Sequence, residues 1–316
     1  MKILEFQTEF SDALRRQKTP VVVTGAGGWL GRAALEMLDH TLGDDFPRVV
    51  HAFGARAREM ALRSGRLVAI RPLTAITQLA LPDALVLHFA FLTREHASRM
   101  ELAEYMRENR KISTLVQDFL RRNGAMGVFN PSSGAVYAGT DAGQNPYGAL
   151  KHADEVVFGE LGQSLGFPAV RMRVFNLAGP FINKLDSYAL ACIIGDITRG
   201  RQVVLRAAHP VWRGYAHVAD VLNIALGFML KNVVTEVFDS AGERVEIGAL
   251  ALRAGALLGR RVEIVRPEWR DGVADDYLGD GAAFALHATR AGVALRGLDE
   301  QILDTADYLR FIDTIS

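Results

Sequence analysis

The stretch that decides the fold is residues 20–31, which read Pro20-Val21-Val22-Val23-Thr24-Gly25-Ala26-Gly27-Gly28-Trp29-Leu30-Gly31. Its β-branched beginning predicts a buried strand, and a helix is predicted over 32–40. Gly25, Gly28 and Gly31 lie between the two. Glycine lets the backbone approach a phosphate, and a helix N-terminus offers free N–H groups and a positive dipole. The stretch predicts a strand–turn–helix unit that holds a pyrophosphate; a tight turn without a ligand is the alternative.

Short apolar runs alternate with longer helical patterns as far as residue 180. The predicted strands cover 20–24, 48–53, 67–70, 84–89, 126–130 and 169–175. The predicted helices cover 32–40, 98–122 and 147–165. This alternation is typical of βαβ units, in which a parallel sheet carries helices on both faces. The predicted fold class is therefore α/β, with a Rossmann-type doubly wound parallel sheet.

Beyond residue 180 the spacing of the elements changes. Helices are predicted over 187–199, 218–230 and 247–258, with short strands over 203–205, 237–239 and 262–265. We expect three parts. They are an N-terminal extension over 1–19, a dinucleotide-binding Rossmann domain over 20–180 and a smaller mixed α/β substrate-binding lobe over 181–316. Some segments of that lobe are expected to return to the Rossmann domain.

Composition limits the class of protein. The 316 residues include 36 Lys+Arg and 36 Asp+Glu, so the net charge is zero, which argues against a nucleic-acid partner. Cys192 is the one cysteine, which excludes an intrachain disulfide and is consistent with a reducing cytoplasm. No apolar run approaches 18 residues, so no membrane partner is expected. The histidines form no HExxH pattern, and no metal site is predicted.

The end of the second predicted strand bears on the cofactor. It reads Ala52-Phe53-Gly54-Ala55-Arg56-Ala57-Arg58, without a carboxylate. Dinucleotide folds that prefer NAD usually carry Asp or Glu here, bonded to the ribose hydroxyls. Gly54 leaves room, and Arg56 or Arg58 is able to pair with a 2′-phosphate. The cofactor is predicted to be NAD or NADP, with NADP favoured; the alternative is that both arginines are merely solvated on the next helix.

A second constellation carries acid–base chemistry. Ser132 and Ser133 follow the strand at 126–130, and Tyr147 and Lys151 share one face of the next helix. A lysine ammonium stabilises a nearby phenolate, so we expect the pKa of Tyr147 to be lowered. Tyr147 then exchanges a proton in an alcohol–ketone interconversion, and a serine hydroxyl bonds the same oxygen. Tyr147, Lys151 and Ser133 are the predicted catalytic residues.

With these motifs the chain resembles an extended short-chain dehydrogenase/reductase of the NAD-dependent epimerase/dehydratase family, over roughly residues 20–250. Further segments resemble family motifs. They are Leu87-His88-Phe89-Ala90, Glu108-Asn109-Arg110-Lys111-Ile112-Ser113-Thr114, Arg173-Val174-Phe175-Asn176-Leu177-Ala178-Gly179-Pro180 and Arg213-Gly214-Tyr215-Ala216-His217-Val218-Ala219-Asp220.

The resemblance implies roles for these residues. Asn176 and Arg213 meet the diphosphate of a nucleotide-sugar, and Ser133, with Ser132 as the alternative, holds the reacting oxygen. His217 and Asp220 order their segment rather than do chemistry. The helices over 98–122 and 147–165 pair two copies into a homodimer. The implied cofactor-binding residues are Gly25, Gly28, Trp29, Leu30, Gly31, Arg56, Phe89, Ala90, Asn109, Tyr147 and Lys151.

The expected activity is hydride transfer at the sugar of a nucleotide-sugar, with Tyr147 as acid/base. An epimerase or ketoreductase is favoured over a dehydratase, because Gly134 and Ala135 follow Ser133 where water elimination needs a further acid and base. One alternative is an NADP-dependent reductase of a non-nucleotide carbonyl. Another is a non-catalytic dinucleotide sensor, although such proteins typically lose the Tyr or the Lys.

Overall fold

The computed structural model describes residues 2–270 and 272–315. Within them the α-helices are α1 (Thr8–Gln17), α2 (Trp29–Leu42), α3 (Phe46–Val49), α4 (Arg94–Ala97), α5 (Leu102–Asn123), α6 (Pro146–Leu165), α7 (Ala189–Thr198), α8 (Val218–Leu230), α9 (Ile247–Leu257), α10 (Gly281–Ala291) and α11 (Leu298–Ile315).

The strands are short, and several belong to small sheets outside the main one. They are β1 (Val21–Thr24), β2 (Val50–Gly54), β3 (Arg58–Ala61), β4 (Leu67–Pro72), β5 (Leu85–His88), β6 (Gly127–Phe129), β7 (Ser132–Ser133), β8 (Ala169–Val170), β9 (Met172–Val174), β10 (Asn176–Ala178), β11 (Val203–Val204), β12 (Val211–Arg213), β13 (Tyr215–His217), β14 (Phe238–Asp239), β15 (Val245–Glu246), β16 (Ile264–Val265) and β17 (Asp275–Tyr277).

The main sheet has seven strands in the order β3-β4-β2-β1-β5-β6-β8. Its neighbouring strands are parallel, except that β3 runs antiparallel to β4. In the central strand β1, Val22 packs in one apolar cluster with Phe119 of α5 and Phe158 of α6. Val21 and Val23 belong to the other cluster, with residues of α2 and α8. Since side chains alternate across a strand, both faces are covered, and the predicted Rossmann-type α/β class is confirmed.

Residues near the N-terminus pack onto this core. Phe10 and Leu14 of α1, a helix that the sequence pattern did not predict, are each about 1% exposed. The backbone N–H of Gln7 donates to Asn223 Oδ1 of α8 at 2.7 Å. The amide of Asn223 in turn donates to the carbonyl of Glu5 at 3.2 Å. The segment before β1 is therefore fastened to the helix that underlies the sheet.

The strand predicted over 169–175 is divided between two sheets at Arg171. Before it, β8 pairs with β6 at the edge of the main sheet, whereas β9 pairs with β7 and β14. The resulting small sheet has the order β14-β9-β7 and contains Ser132 and Ser133. A strand from beyond residue 180, β14, thus belongs to the same small sheet as the serines, with β9 between β14 and β7. Helix α8 packs its Met229 against Gly127 of β6.

Several elements escaped prediction, among them α1, β3, α10 and α11. The edge strand β3 stands where a helix carrying Arg58 was the alternative, and two of its four residues are charged. Helices α10 and α11 follow the short strand β17 and bury Phe284 and Ile302. Apolar residues at helical spacing, such as Phe284 and Ala288 in α10 and Leu298 and Ile302 in α11, are buried. They pack α10 against α8 and α11 against α7.

Candidate active site

The glycine turn opens the site. Gly25 has φ +64°, and a Cβ there would come within 2.5 Å of the Phe89 carbonyl carbon. A Cβ on Gly31 would overlap the Gly25 carbonyl oxygen. Helix α2 begins at Trp29, three residues before the predicted start. The backbone N–H groups of its first turn, which have no partner within the helix, therefore lie next to the glycine turn. The backbone is therefore shaped to accept an anionic group.

Trp29 and Leu30, both predicted to bind the cofactor, start α2 in different surroundings. Trp29 is buried, and its indole N–H donates to the Pro180 carbonyl at 2.7 Å. Its ring also lies 5.4 Å from that of Tyr188. Leu30 is half-buried beside the apolar core. Trp29 therefore joins the glycine turn to the segment after β10.

The two arginines after β2 differ in their position. Arg56 is exposed in the loop before β3. Arg58 also is exposed, but its guanidinium lies over Gly27, where a Cβ would overlap it. Gly54 does not leave room for a ligand as predicted; its missing Cβ faces Ile70, at 2.9 Å from the Ile70 methyl carbon. Packing between β2 and β4 therefore explains the glycine at position 54. Of the two arginines, Arg58 is the one whose guanidinium lies directly above the glycine turn.

The loop after β5 is held by polar contacts on both sides. Thr24 Oγ1 lies 2.7 Å from His88 Nδ1 and accepts from the Ala90 N–H at 3.2 Å. Asn109 Oδ1 accepts from the Leu92 N–H at 2.8 Å. Burial, with the positive charge of Lys151 as the smaller cause, lowers the pKa of His88 to about 3. Asn109 therefore fixes the backbone of the loop at Leu92, while Phe89 and Ala90 border the glycine turn.

The predicted catalytic tyrosine lies in the first turn of α6. Asn145 caps this helix by accepting from the Gly148 N–H at 3.0 Å, and Pro146 starts it. Burial raises the pKa of Tyr147 to about 12, although a hydrogen bond with Ser133 opposes the shift. The expectation that Lys151 lowers this pKa is wrong for this structure, because the cost of burying a phenolate dominates.

Lys151 is buried one turn further along α6. Its ammonium donates to the Pro131 carbonyl at 2.9 Å. Burial lowers its pKa to about 8, while the nearby carboxylates of Asp154 and Glu155 act in the opposite direction. The ammonium also lies 3.9 Å from the centroid of the Phe91 ring. Lys151 thus shares the pocket of Tyr147, with an aromatic ring against its charge.

The two serines of β7 have separate surroundings. Ser132 Oγ donates to Glu155 Oε1 at 2.5 Å, and Arg173 binds both oxygens of Glu155 at 2.7 Å. Ser133 Oγ, in contrast, bonds toward Tyr147 and lies 3.4 Å from the Tyr277 hydroxyl. Ser133 therefore faces the tyrosines, while Ser132 belongs to a buried ionic network.

Tyr277 is a site residue that sequence reasoning missed. It lies opposite Arg213 in the β12–β17 pair, and its carbonyl accepts from the Asn176 amide at 3.4 Å. Arg213 itself binds the carboxylate of Asp275 at 2.7 Å. The structure therefore brings Asn176 and Arg213 to Tyr277, whose hydroxyl approaches Ser133. No spacing or motif in the sequence marks a tyrosine that pairing with β12 brings into the site.

His217 and Asp220 lie behind the site. His217 is fully buried, with Nδ1 accepting from the Ala219 N–H at 3.1 Å and Nε2 3.3 Å from Asp304 Oδ2. Asp220 accepts from the Arg296 N–H at 2.8 Å. With these contacts, His217 and Asp220 hold neighbouring segments in place.

Within residues 2–270 and 272–315, no three His, Cys, Asp or Glu side chains cluster as metal ligands. Nor does that part of the chain contain a helix long and apolar enough to span a membrane.

Residues 21–248 match the model of the NAD dependent epimerase/dehydratase family, and the chain belongs to this family. No curated protein matches it. Among solved structures it is similar to a UDP-N-acetylglucosamine 4-epimerase from Methanobrevibacter ruminantium in complex with UDP-N-acetylmuramic acid. That likeness has a TM-score of 0.70 and 21% identity, covering 94% of this chain and 99% of the other.

Two further structures share the fold. One is a UDP-glucose 4-epimerase from Brucella ovis in complex with NAD, with a TM-score of 0.68, 20% identity and coverage of 92% and 98%. The other is an NAD-dependent NDP-hexosamine 5,6-dehydratase involved in tunicamycin biosynthesis, with a TM-score of 0.70, 18% identity and coverage of 93% and 98%. Epimerases and a dehydratase thus have this architecture in common.

Proposed function

We propose that this protein is an NAD(P)-dependent epimerase or ketoreductase that acts on the sugar of a nucleotide-sugar, with Tyr147 as acid/base. The observation that carries the proposal is the arrangement of Ser133, Tyr147 and Lys151 at the sheet edge where the glycine turn opens. The cofactor would supply a hydride acceptor or donor. The protein would supply the proton relay and the positioning of the sugar.

The proton chemistry follows from the surroundings of Tyr147. With its pKa raised to about 12, its hydroxyl is protonated near neutral pH and acts as the acid when a carbonyl is reduced. In the oxidative direction the protonated hydroxyl cannot serve as the base. Tyr147 would first have to release its own proton to solvent and then, as the tyrosinate, take the proton of the substrate hydroxyl while the hydride leaves the same carbon. Ser133 would hold the reacting oxygen, because its hydroxyl faces Tyr147 and Tyr277. Lys151 would stabilise the tyrosinate once it forms.

Anionic recognition on both sides of the reacting centre supports a nucleotide-sugar. The glycine turn and Arg58 lie on one side. Asn176 and Arg213 lie on the other, next to Tyr277. Arg213 would contact a substrate diphosphate by giving up part of its bond to the exposed Asp275. The Methanobrevibacter ruminantium epimerase in complex with UDP-N-acetylmuramic acid supports this substrate class. A non-nucleotide carbonyl substrate, the alternative, would leave Asn176 and Arg213 without a role in binding.

The residue after Ser133 favours epimerase or ketoreductase over dehydratase. A Cβ on Gly134 would come within 2.5 Å of the Phe175 ring, so the position has no room for an acidic side chain. Ala135 is buried and apolar. Elimination of water needs a further acid and base there. The similarity in fold to the NDP-hexosamine 5,6-dehydratase is the one observation that favours a dehydratase instead.

The choice between NAD and NADP rests on Arg58. The epimerase structure with bound NAD favours NAD. The Arg58 guanidinium above Gly27 favours NADP, because a 2′-phosphate would add charge-assisted hydrogen bonds there. We retain NADP as the cofactor to test first.

A homodimer through α5 and α6 completes the proposal. Val156 of α6 and Leu102 of α5 are each 44% exposed. Val156→Asp would then shift the mass measured by light scattering from dimer to monomer. Leu252→Asp, at an apolar and still more exposed position of α9, is the control and should leave the mass unchanged.

The experiment that tests the function is the release and mass analysis of small molecules bound to the purified protein, followed by turnover with UDP-sugars. Bound dinucleotide with interconversion of two UDP-sugar epimers supports the epimerase. Consumption of one equivalent of NADPH per turnover supports the reductase. Absence of any dinucleotide, with no binding on addition of NADH or NADPH, would contradict the proposal.

A further inference from the structure

Phe91 occupies the space between the two predicted catalytic residues of α6. Its ring centroid lies 3.9 Å from the Lys151 ammonium. Its ring also packs edge-to-face on Tyr147, with centroids 5.6 Å apart and an interplanar angle of 86°. The sequence motif that ends at Ala90 did not include this residue. One side chain thus touches both the acid/base and the cation that would support it.

The backbone on either side of Phe91 is held in place. The Ala90 N–H donates to Thr24 Oγ1 at 3.2 Å. On the other side, the Leu92 N–H donates to Asn109 Oδ1 at 2.8 Å, and the Leu92 carbonyl accepts from the Tyr105 hydroxyl at 2.8 Å. With the chain fixed at both neighbours, the ring of Phe91 is free to change position only by rotation of its own side chain.

The Phe91 ring lies against the ammonium group of Lys151, the group that would bind the ribose of a cofactor. A lysine ammonium has three N–H donors, and one is taken by the Pro131 carbonyl. Phe91 lies against the ammonium as a cation–π partner and covers donors that ribose hydroxyls would otherwise accept from. An aromatic face and a ribose hydroxyl compete for the same charge.

We propose that Phe91 is an aromatic cover over Lys151, and that its ring rotates away when the nicotinamide ribose of a dinucleotide binds. This proposal rests on the function proposed above. When the cofactor binds, the contact between Phe91 and Lys151 must first be broken, and this lowers the net binding free energy of the cofactor. Removal of the ring should therefore strengthen cofactor binding by about 3- to 10-fold, the range expected for loss of one cation–π contact.

The first experiment needs no cofactor. The labelling rate of Lys151 by a small amine-reactive reagent is measured by peptide mass spectrometry in the wild type, Phe91→Ala and Phe91→Tyr. Phe91→Ala should label several-fold faster, and Phe91→Tyr, which keeps the ring, should label like the wild type. Phe311→Ala removes a ring that lies 5.7 Å from the Arg63 guanidinium carbon and is the control. Equal labelling of Lys151 in the wild type and Phe91→Ala would overturn the cover.

The second experiment measures NADH and NADPH binding by calorimetry on the same variants. Tighter binding by Phe91→Ala, with Phe91→Tyr near the wild type, supports the cover. Unchanged or weaker binding by Phe91→Ala overturns it, because the ring would then be neutral or a contact for the cofactor. If no variant binds either dinucleotide, the proposed function fails, and the labelling of Lys151 still decides whether Phe91 covers it. Circular dichroism melting confirms that each variant is folded.

Discussion

Ser133 Oγ and the hydroxyl of Tyr277 lie 3.4 Å apart, although 144 positions separate the two residues in the chain. Ser133 ends the short strand β7, and Tyr277 ends β17 on the other side of the site. The Phe175 ring lies 4.7 Å from the Tyr277 ring and supports it. The candidate active site is therefore built jointly by the two halves of the chain.

The first prediction concerns the acid/base. Tyr147→Phe should lower kcat for hydride transfer by about 10²- to 10⁴-fold, the usual contribution of a positioned proton donor. Cofactor affinity should change much less than kcat, because the aromatic ring is kept and only the hydroxyl is lost. The rate is followed by the absorbance of reduced nicotinamide. Tyr308→Phe, on α11 beside Phe181, is the control. Wild-type turnover by Tyr147→Phe would remove Tyr147 from the mechanism.

The second prediction concerns Tyr277. Tyr277→Phe keeps the ring stacked near Phe175 but deletes the hydroxyl beside Ser133. Loss of one neutral hydrogen bond should lower kcat/KM by about 5-fold. Tyr277→Leu, which removes the ring as well, should lose more. The role assigned to the hydroxyl would be refuted by a Tyr277→Phe enzyme with the kcat/KM of the wild type.

The third prediction concerns cofactor choice. Arg58→Ala should weaken NADPH binding by about 10-fold, because a charge-assisted bond to the 2′-phosphate is lost. NADH binding should change by less. Both affinities are measured by calorimetry at one fixed salt concentration, since exposed charges are screened. Arg16→Ala, at an exposed position of α1, is the control. Equal effects on NADH and NADPH would show that Arg58 does not read the 2′-phosphate.

The fourth prediction separates two glycines at helix starts. Gly31→Ala should lower the free energy of unfolding by about 1–3 kcal/mol, because its Cβ would overlap the Gly25 carbonyl oxygen in a packed turn. Gly281→Ala at the start of α10 meets no atom within 4 Å and should be neutral or slightly stabilising. Urea unfolding of both variants gives the comparison. Equal stability of the two variants would contradict the close approach at Gly31.

The fifth prediction is a pH dependence of stability. Burial lowers the pKa of His88 to about 3, whereas an unfolded histidine titrates near 6.5. Between these values the unfolded chain binds the proton and the folded chain does not. Stability is therefore lost as the pH falls, by about 2 kcal/mol at pH 5.

His88→Asn should remove that part of the loss between pH 7 and pH 5, as measured by urea unfolding. The exposed His96, replaced in the same way, should leave the pH dependence unchanged. If His88→Asn loses as much stability as the wild type on acidification, His88 is not the group responsible.

Local patterns in the sequence were sufficient for six of the seven strands of the main sheet and for two parts of the site. The run from Val21 to Gly31 predicted the central strand, the turn and the presence of a following helix, because β-branched residues and glycines act through their own backbone. The spacing of Tyr147 and Lys151 predicted a shared helix face for the same reason. The family match and the fold confirm the predicted class.

Other features depend on residues that meet only after folding. The direction of the Tyr147 pKa shift was predicted wrongly, because burial is a property of packing and outweighs a neighbouring charge. The end of β2 was interpreted as room for a phosphate, but Ile70 from β4 fills the space beside Gly54. Phe91 lies outside every motif in the sequence, and its contact with Lys151 joins the loop after β5 to α6.

The sequence by itself determined the Rossmann-type architecture, the family and the positions of Ser133, Tyr147 and Lys151, since these depend on periodicity and short spacings. Only the tertiary structure decided that Tyr277 approaches Ser133, that Arg58 lies over Gly27 and that Phe91 lies against Lys151. Each of these contacts joins separate elements, so it depends on how strands and helices pack. No pattern within either element contains that information.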